Sequence, residues 1–231
     1  MASYCRKKGI IPNITVSDIN NKTAKKLADV MGAVSVSNYN KDICYNSIKM
    51  LLKHGLSQVN MHLILAEENY DKCLETLEDI AKNKVPGLNA VIFLSLKKKG
   101  RGKNMSILGT KKYRKIISYC LKNEIRFGMD SCGAIKFLDS VKNHQNYSSF
   151  SILSESCEAS CFSQYVNVDG LFFPCSFCEG NEEWGKGIDV LSSNSYLEDI
   201  WYNTRTISFR KKLCHNVKNY HKSRECPIYE V

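Results

Sequence analysis

The chain has 231 residues, 43% hydrophobic and 24% charged, with a formal charge of +10 and a pI near 9.0. That balance excludes a disordered chain, and no apolar run approaches the roughly 20 residues that span a bilayer. The first residues, MASYCRKKGIIP, lack an apolar core followed by small residues, so the expected compartment is the cytoplasm, with no membrane association.

The first two-thirds alternates apolar runs with amphipathic stretches. The apolar runs are Ile10–Val16, Ala33–Ser37, Gln58–Leu65, Asn89–Leu96 and a short Ile125–Met129. Their Val, Ile and Leu content suits strands buried on both faces. Helical spacing of three and four follows each of the first four, over Thr23–Met31, Ile43–Leu52, Cys73–Ile80 and Tyr113–Leu121. This alternation predicts right-handed βαβ units on a parallel sheet. A ligand is expected at the carboxyl ends of the strands.

The character changes after Gly128. Phe162–Val168 and Leu171–Cys175 flank Asp169-Gly170, which predicts a hairpin with a tight type I′ turn. A helix is expected around Ser195–Tyr202. Basic residues cluster in Leu96–Lys103, in Lys111–Lys115 and from Arg205 to Arg224. They would suit an anionic partner. Without aromatic residues interleaved among them, nucleic acid is not the expected one.

Eleven cysteines in a reducing compartment point to metal ligands before disulfides. Cys44, Cys73 and Cys120 fall in predicted helices, Cys73 and Cys120 on the apolar stripes, and read as small packing residues. Cys157, Cys161, Cys175 and Cys178 bracket the hairpin, whose two ends must meet. Two metal readings follow. Taken as C-x3-C-x13-C-x2-C, the four form a zinc ribbon, and the basic surface would then serve nucleic acid. Taken as C-x12-G-x4-C over Cys157, Gly170 and Cys175, the pattern resembles the opening of the SPASM and twitch domains of radical S-adenosylmethionine (SAM) enzymes.

The strand series also resembles that family. Thr15-Val16-Ser17 stands where its third strand ends, Ser37 where the fourth strand's terminal serine touches SAM, and Asn60 and His62 where the fifth carries Asn-x-His. Leu96–Lys103 matches the segment after the sixth. The resemblance implies an α/β fold: an incomplete (β/α) partial TIM-type barrel over residues 1–130, with four of the usual six core strands. A small β-hairpin iron–sulfur domain would occupy residues 131–231. It implies SAM contacts from Ser37, Asn60 and His62, and an auxiliary [4Fe–4S] cluster on Cys132, Cys157, Cys175 and Cys226. A peptide or other small molecule would be the substrate.

One departure is large. The family cleaves SAM on a cluster held by C-x3-C-x2-C, and this sequence contains no such motif. The expectation is a truncated, split or degenerate form that binds its auxiliary cluster. It would use SAM only if the missing first strands were supplied, for instance by a second polypeptide.

Overall fold

Each apolar run of the first half becomes a strand. β1 (Asn13–Val16), β2 (Ala33–Ser37), β3 (Val59–Leu65), β4 (Ala90–Ser95) and β5 (Phe127–Met129) pair in parallel in the order β1-β2-β3-β4-β5. The computed structural model describes residues 1–155, 157–215, 226 and 228. The basic stretch beyond His215 lies largely outside them.

The short run ending at Met129 joins as a fifth strand, one more than the four expected. Four helices make the connections: α2 (Asn21–Val30), α3 (Lys41–Lys53), α4 (Tyr70–Ala81) and α5 (Thr110–Lys122), preceded by a short α1 (Ala2–Lys7). Asn20 and Asn40 cap α2 and α3, their side chains accepting from the Thr23 and Ile43 N–H groups at 2.9 and 3.2 Å.

Sequential strand order sends every crossover the same way, so right-handed connections put the helices on one face. Burial alternates to match. Val34, Val36, Val59, Met61 and Val91 are fully buried, while Ser35, Ser37, Asn60, His62 and Ile92 on the opposite face are half-buried. This corrects the expectation of strands buried on both faces. The alternation of VNMHLIL is the mark of a sheet with one packed face and one open to a ligand or solvent.

The helix cysteines are packing residues. Cys44, Cys73 and Cys120 are buried, and burial pushes each thiol up to about 12. Between α3 and α4, the shielded Asp79 carboxylate meets the Lys41 and Lys84 ammonium groups at 2.5 and 2.6 Å and accepts from the Tyr45 hydroxyl at 3.2 Å. These donors, Lys41 first, hold Asp79 down at about 2.

The chain divides into two compact units. The first is Met1–Leu96 with Ser106–Asp130, and the second joins Lys97–Met105 to the described residues from Ser131 onward. The second unit holds α6 (Ala134–Val141), α7 (Tyr147–Leu153) and an antiparallel sheet. That sheet runs β6 (Tyr165–Val166), β7 (Leu171–Phe173), β8 (Ile188–Asp189), with β7 central. A π-helical turn at Tyr196–Trp201 and α8 (Thr204–His215) follow.

The hairpin forms, with Tyr165 opposite Phe173, but its turn is not type I′. Gly170 N–H donates to Asn167 O at 3.1 Å, so Val168 and Asp169 are the central residues, and neither has positive φ. Gly170 alone is left-handed, at φ +77, and the Asn167 side chain accepts from the Asp169 and Leu171 N–H groups. The asparagine starts the turn two residues before the Asp-Gly pair.

Candidate functional site

In the first unit, strand register brings the three expected SAM-contact residues onto the half-buried face. Ser37, the last residue of β2, lies opposite His62 of β3, and Ser35 lies opposite Asn60. Thr15 of β1 continues the row beside Ser35. The result is a largely half-buried polar stripe on the first unit's sheet, on the face away from its buried valines. Asn60 Oδ1 accepts from Asn89 Nδ2 at 2.8 Å, which fixes its amide. His62 is held below its ordinary value, mainly by burial, with the Asp130 carboxylate pulling the other way. Its imidazole is therefore neutral at pH 7 and both accepts and donates.

Asp130 follows β5 and is tied to the end of β4. Ser95 donates to it from its backbone N–H at 3.2 Å and from its hydroxyl at 2.9 Å. Sequence reasoning passed over Ser35, Ser95 and Asp130. Asn60 and His62 came from the resemblance to an Asn-x-His strand, whereas the period-two alternation of AVSVS, with Ser37, is the signal that would have placed Ser35. Asp130 sits in FGMDSC, beside the cysteine that drew notice.

In the second unit the cysteines enter the core. Cys157 and Cys178 are buried with Phe172, Phe173, Trp184 and Phe209, and Cys161 and Cys175 pack against them. Cys178 N–H donates to Cys175 O at 3.0 Å, and that turn sets the two Sγ atoms 3.5 Å apart. The contact with Cys178, helped by the Phe177 and Cys178 N–H groups and by Lys97, lowers the Cys175 thiol below its ordinary value. Cys178 is pushed up by Cys175, by burial and by Cys226, so Cys226 is near enough to be felt there.

Two lysines of the basic segment serve this turn. Lys97 is buried with its ammonium 4.9 Å from the Phe177 ring centre. Lys99 donates to the carbonyls of Ser176 (3.3 Å), Phe177 (3.4 Å) and Glu179. Cys132 lies in a 3₁₀ turn, Ser131–Gly133. Among the described residues no three Cys, His, Asp or Glu side chains already stand at metal-binding geometry. The thiol chemistry and the buried donors nevertheless fit an inorganic sulfur group. Ser160 Oγ and Trp184 Nε1 are both buried without a hydrogen-bond partner among the described residues. Buried donors normally find an acceptor.

A five-stranded parallel sheet in sequential order, with its helices as crossovers and followed by a small antiparallel unit, is a (β/α) partial-barrel fold that two solved structures share. Streptococcus suis SuiB, solved with S-adenosylmethionine bound, shares it over 100% of this chain and 61% of its own, with a TM-score of 0.66 and 13% identity. The anSMEcpe structure, with AdoMet and the Cp18Cys peptide bound, shares it over 92% of this chain and 65% of its own, at a TM-score of 0.58 and 13% identity. The chain thus spans under two-thirds of either length. No protein-family model matches it, and no curated protein matches its sequence.

Proposed function

We propose that this chain is a radical SAM-like protein whose second unit binds an auxiliary [4Fe–4S] cluster through Cys132, Cys157, Cys175 and Cys226. The observation that carries the reading is the cysteine-built core. Cys157 is buried there, Cys175 is shifted toward its thiolate, Cys226 acts on the same turn, and two donors wait without acceptors. Thiolate is the form that binds iron. When bound, the cluster supplies one-electron transfer. The protein's part is to shield it with Phe172, Phe173 and Trp184, and to hold the Cys175 turn in place through Lys99. A thiolate-held cluster belongs in a reducing compartment, in keeping with the cytoplasm. Among the described residues no helix is long and apolar enough to cross a membrane.

On the first unit, Ser37, Asn60 and His62 are proposed to hold the polar parts of SAM against the polar sheet face, with a peptide or small-molecule substrate beside it. Because the sequence holds no C-x3-C-x2-C, SAM cleavage is proposed to need a segment outside these 231 residues, or a second polypeptide that brings the first strands.

Metal content of single cysteine variants tests the ligand set. Cys157→Ala and Cys175→Ala are expected to abolish iron binding, and Cys132→Ala and Cys226→Ala to impair it strongly. Cys161→Ala and Cys178→Ala should keep most of it. Equal dependence on all four hairpin-flanking cysteines, with none on Cys226, would replace this reading with the zinc ribbon.

A further inference from the structure

We propose that the Ser160 hydroxyl donates a hydrogen bond to a sulfur of the cysteine-bound cluster and so raises its reduction potential. The inference rests on the cluster reading above and assigns a role to a residue outside the ligand set.

Ser160 lies between Cys157 and Cys161 and is completely buried. Its Oγ has no partner among the described residues. Its backbone is left-handed, at φ +56, a conformation glycine adopts freely and serine does not. The backbone is pinned on both sides. Its N–H donates to Ser163 O at 2.8 Å, and its carbonyl accepts from Arg210 Nε. Arg210 is itself held by the Trp201 carbonyl at 2.7 Å and by the Trp201 ring.

Ser160 thus stands fully buried on a fixed backbone, directly after Ala159 of the core that contains Cys157 and Cys178. Glycine here would relieve the backbone and lose no hydrogen bond to the described residues. A serine kept in strained backbone with a buried hydroxyl that none of the described residues uses leaves that donor available to a bound group. The acceptor class this core would hold is sulfur, either a ligating thiolate or the cluster's own sulfide. When the cluster takes one electron from a low-potential titrant such as a viologen, its sulfurs gain negative charge. The O–H···S bond then strengthens, which favours the reduced state.

The test is a redox titration of the anaerobically reconstituted full chain, in wild type and in Ser160→Gly and Ser160→Ala. Alanine removes the hydroxyl but keeps the backbone strain. Glycine removes both, so it folds even if alanine does not. Both variants are expected to keep the wild-type iron content. Both should shift to a lower potential, with a roughly tenfold smaller reduced-to-oxidised ratio at a given poise, about 59 mV for one electron. Ser160→Gly should also melt higher than wild type without its cluster. Pulsed paramagnetic resonance of the reduced state should show an exchangeable proton coupling that both variants lose. Unchanged potential and proton coupling with full iron would overturn the role of Ser160 alone. Loss of iron from Ser160→Gly would make the residue structural and overturn the proposal as well. A wild-type chain that takes up no iron would overturn the cluster reading and this inference with it.

Discussion

At the scale of single residues, neighbours set the chemistry that a side chain carries. Helix cysteines and turn cysteines share a thiol, yet burial raises Cys44 to about 12 while the C-x2-C turn lowers Cys175. His62 is governed by burial against the partial pull of Asp130. Its folded-state value lies below the unfolded one, near 6.5. The unfolded chain therefore binds more protons as pH falls through that value, and stability present above about pH 6.5 declines below it. His62→Gln should flatten this decline in denaturant titrations between about pH 7 and 5. An unchanged slope would mean that His62 is solvated in the folded chain. Ser37, Asn60 and His62 were picked out by the resemblance of their strands to a known family, and their place on one sheet face follows from the strand register. Ser95 and Asp130 were not, because their pairing links two strand ends that are distant in sequence.

At the scale of elements, periodicity located the strands and the four connecting helices to within a few residues. The hydrophobic stripe against the sheet is a strong local signal. The second unit was less legible. Its strands are two or three residues long, too short for alternation to register, so β8 and its pairing with β7 went unseen. Its turn was misassigned because Asp-Gly outweighed the Asn167 side chain that organises it. Gly170 still suits the turn. It has φ +77, and an added Cβ would lie 2.6 Å from Leu191 Cγ. Gly170→Ala should cost about 1–2 kcal/mol for the left-handed backbone, with little added, because the Leu191 side chain it would meet is exposed and can turn away. Thermal melting of the metal-free chain should show this as a clear loss. A melting point within a degree of wild type would mean that residue 170 is not held in the left-handed region.

At the scale of the whole molecule, the sequential strand order explains why the connecting helices lie on one sheet face only. β1 is an edge strand, with Ile10, Ile11 and Ile14 exposed on or just before it. An exposed apolar edge invites pairing with another strand, which suits the proposal that further strands are brought to it. With SAM and a strong reductant, the chain alone should form no 5′-deoxyadenosine above background, since it holds no C-x3-C-x2-C. Turnover by the isolated chain would show that another set of its cysteines can hold the SAM-cleaving cluster. The central claim is the metal itself, and elemental analysis of the anaerobically reconstituted chain reads it most directly. The account predicts about four irons per chain, as one cubane requires, in a brown protein that bleaches on reduction. A colourless protein with one tightly bound zinc would contradict it.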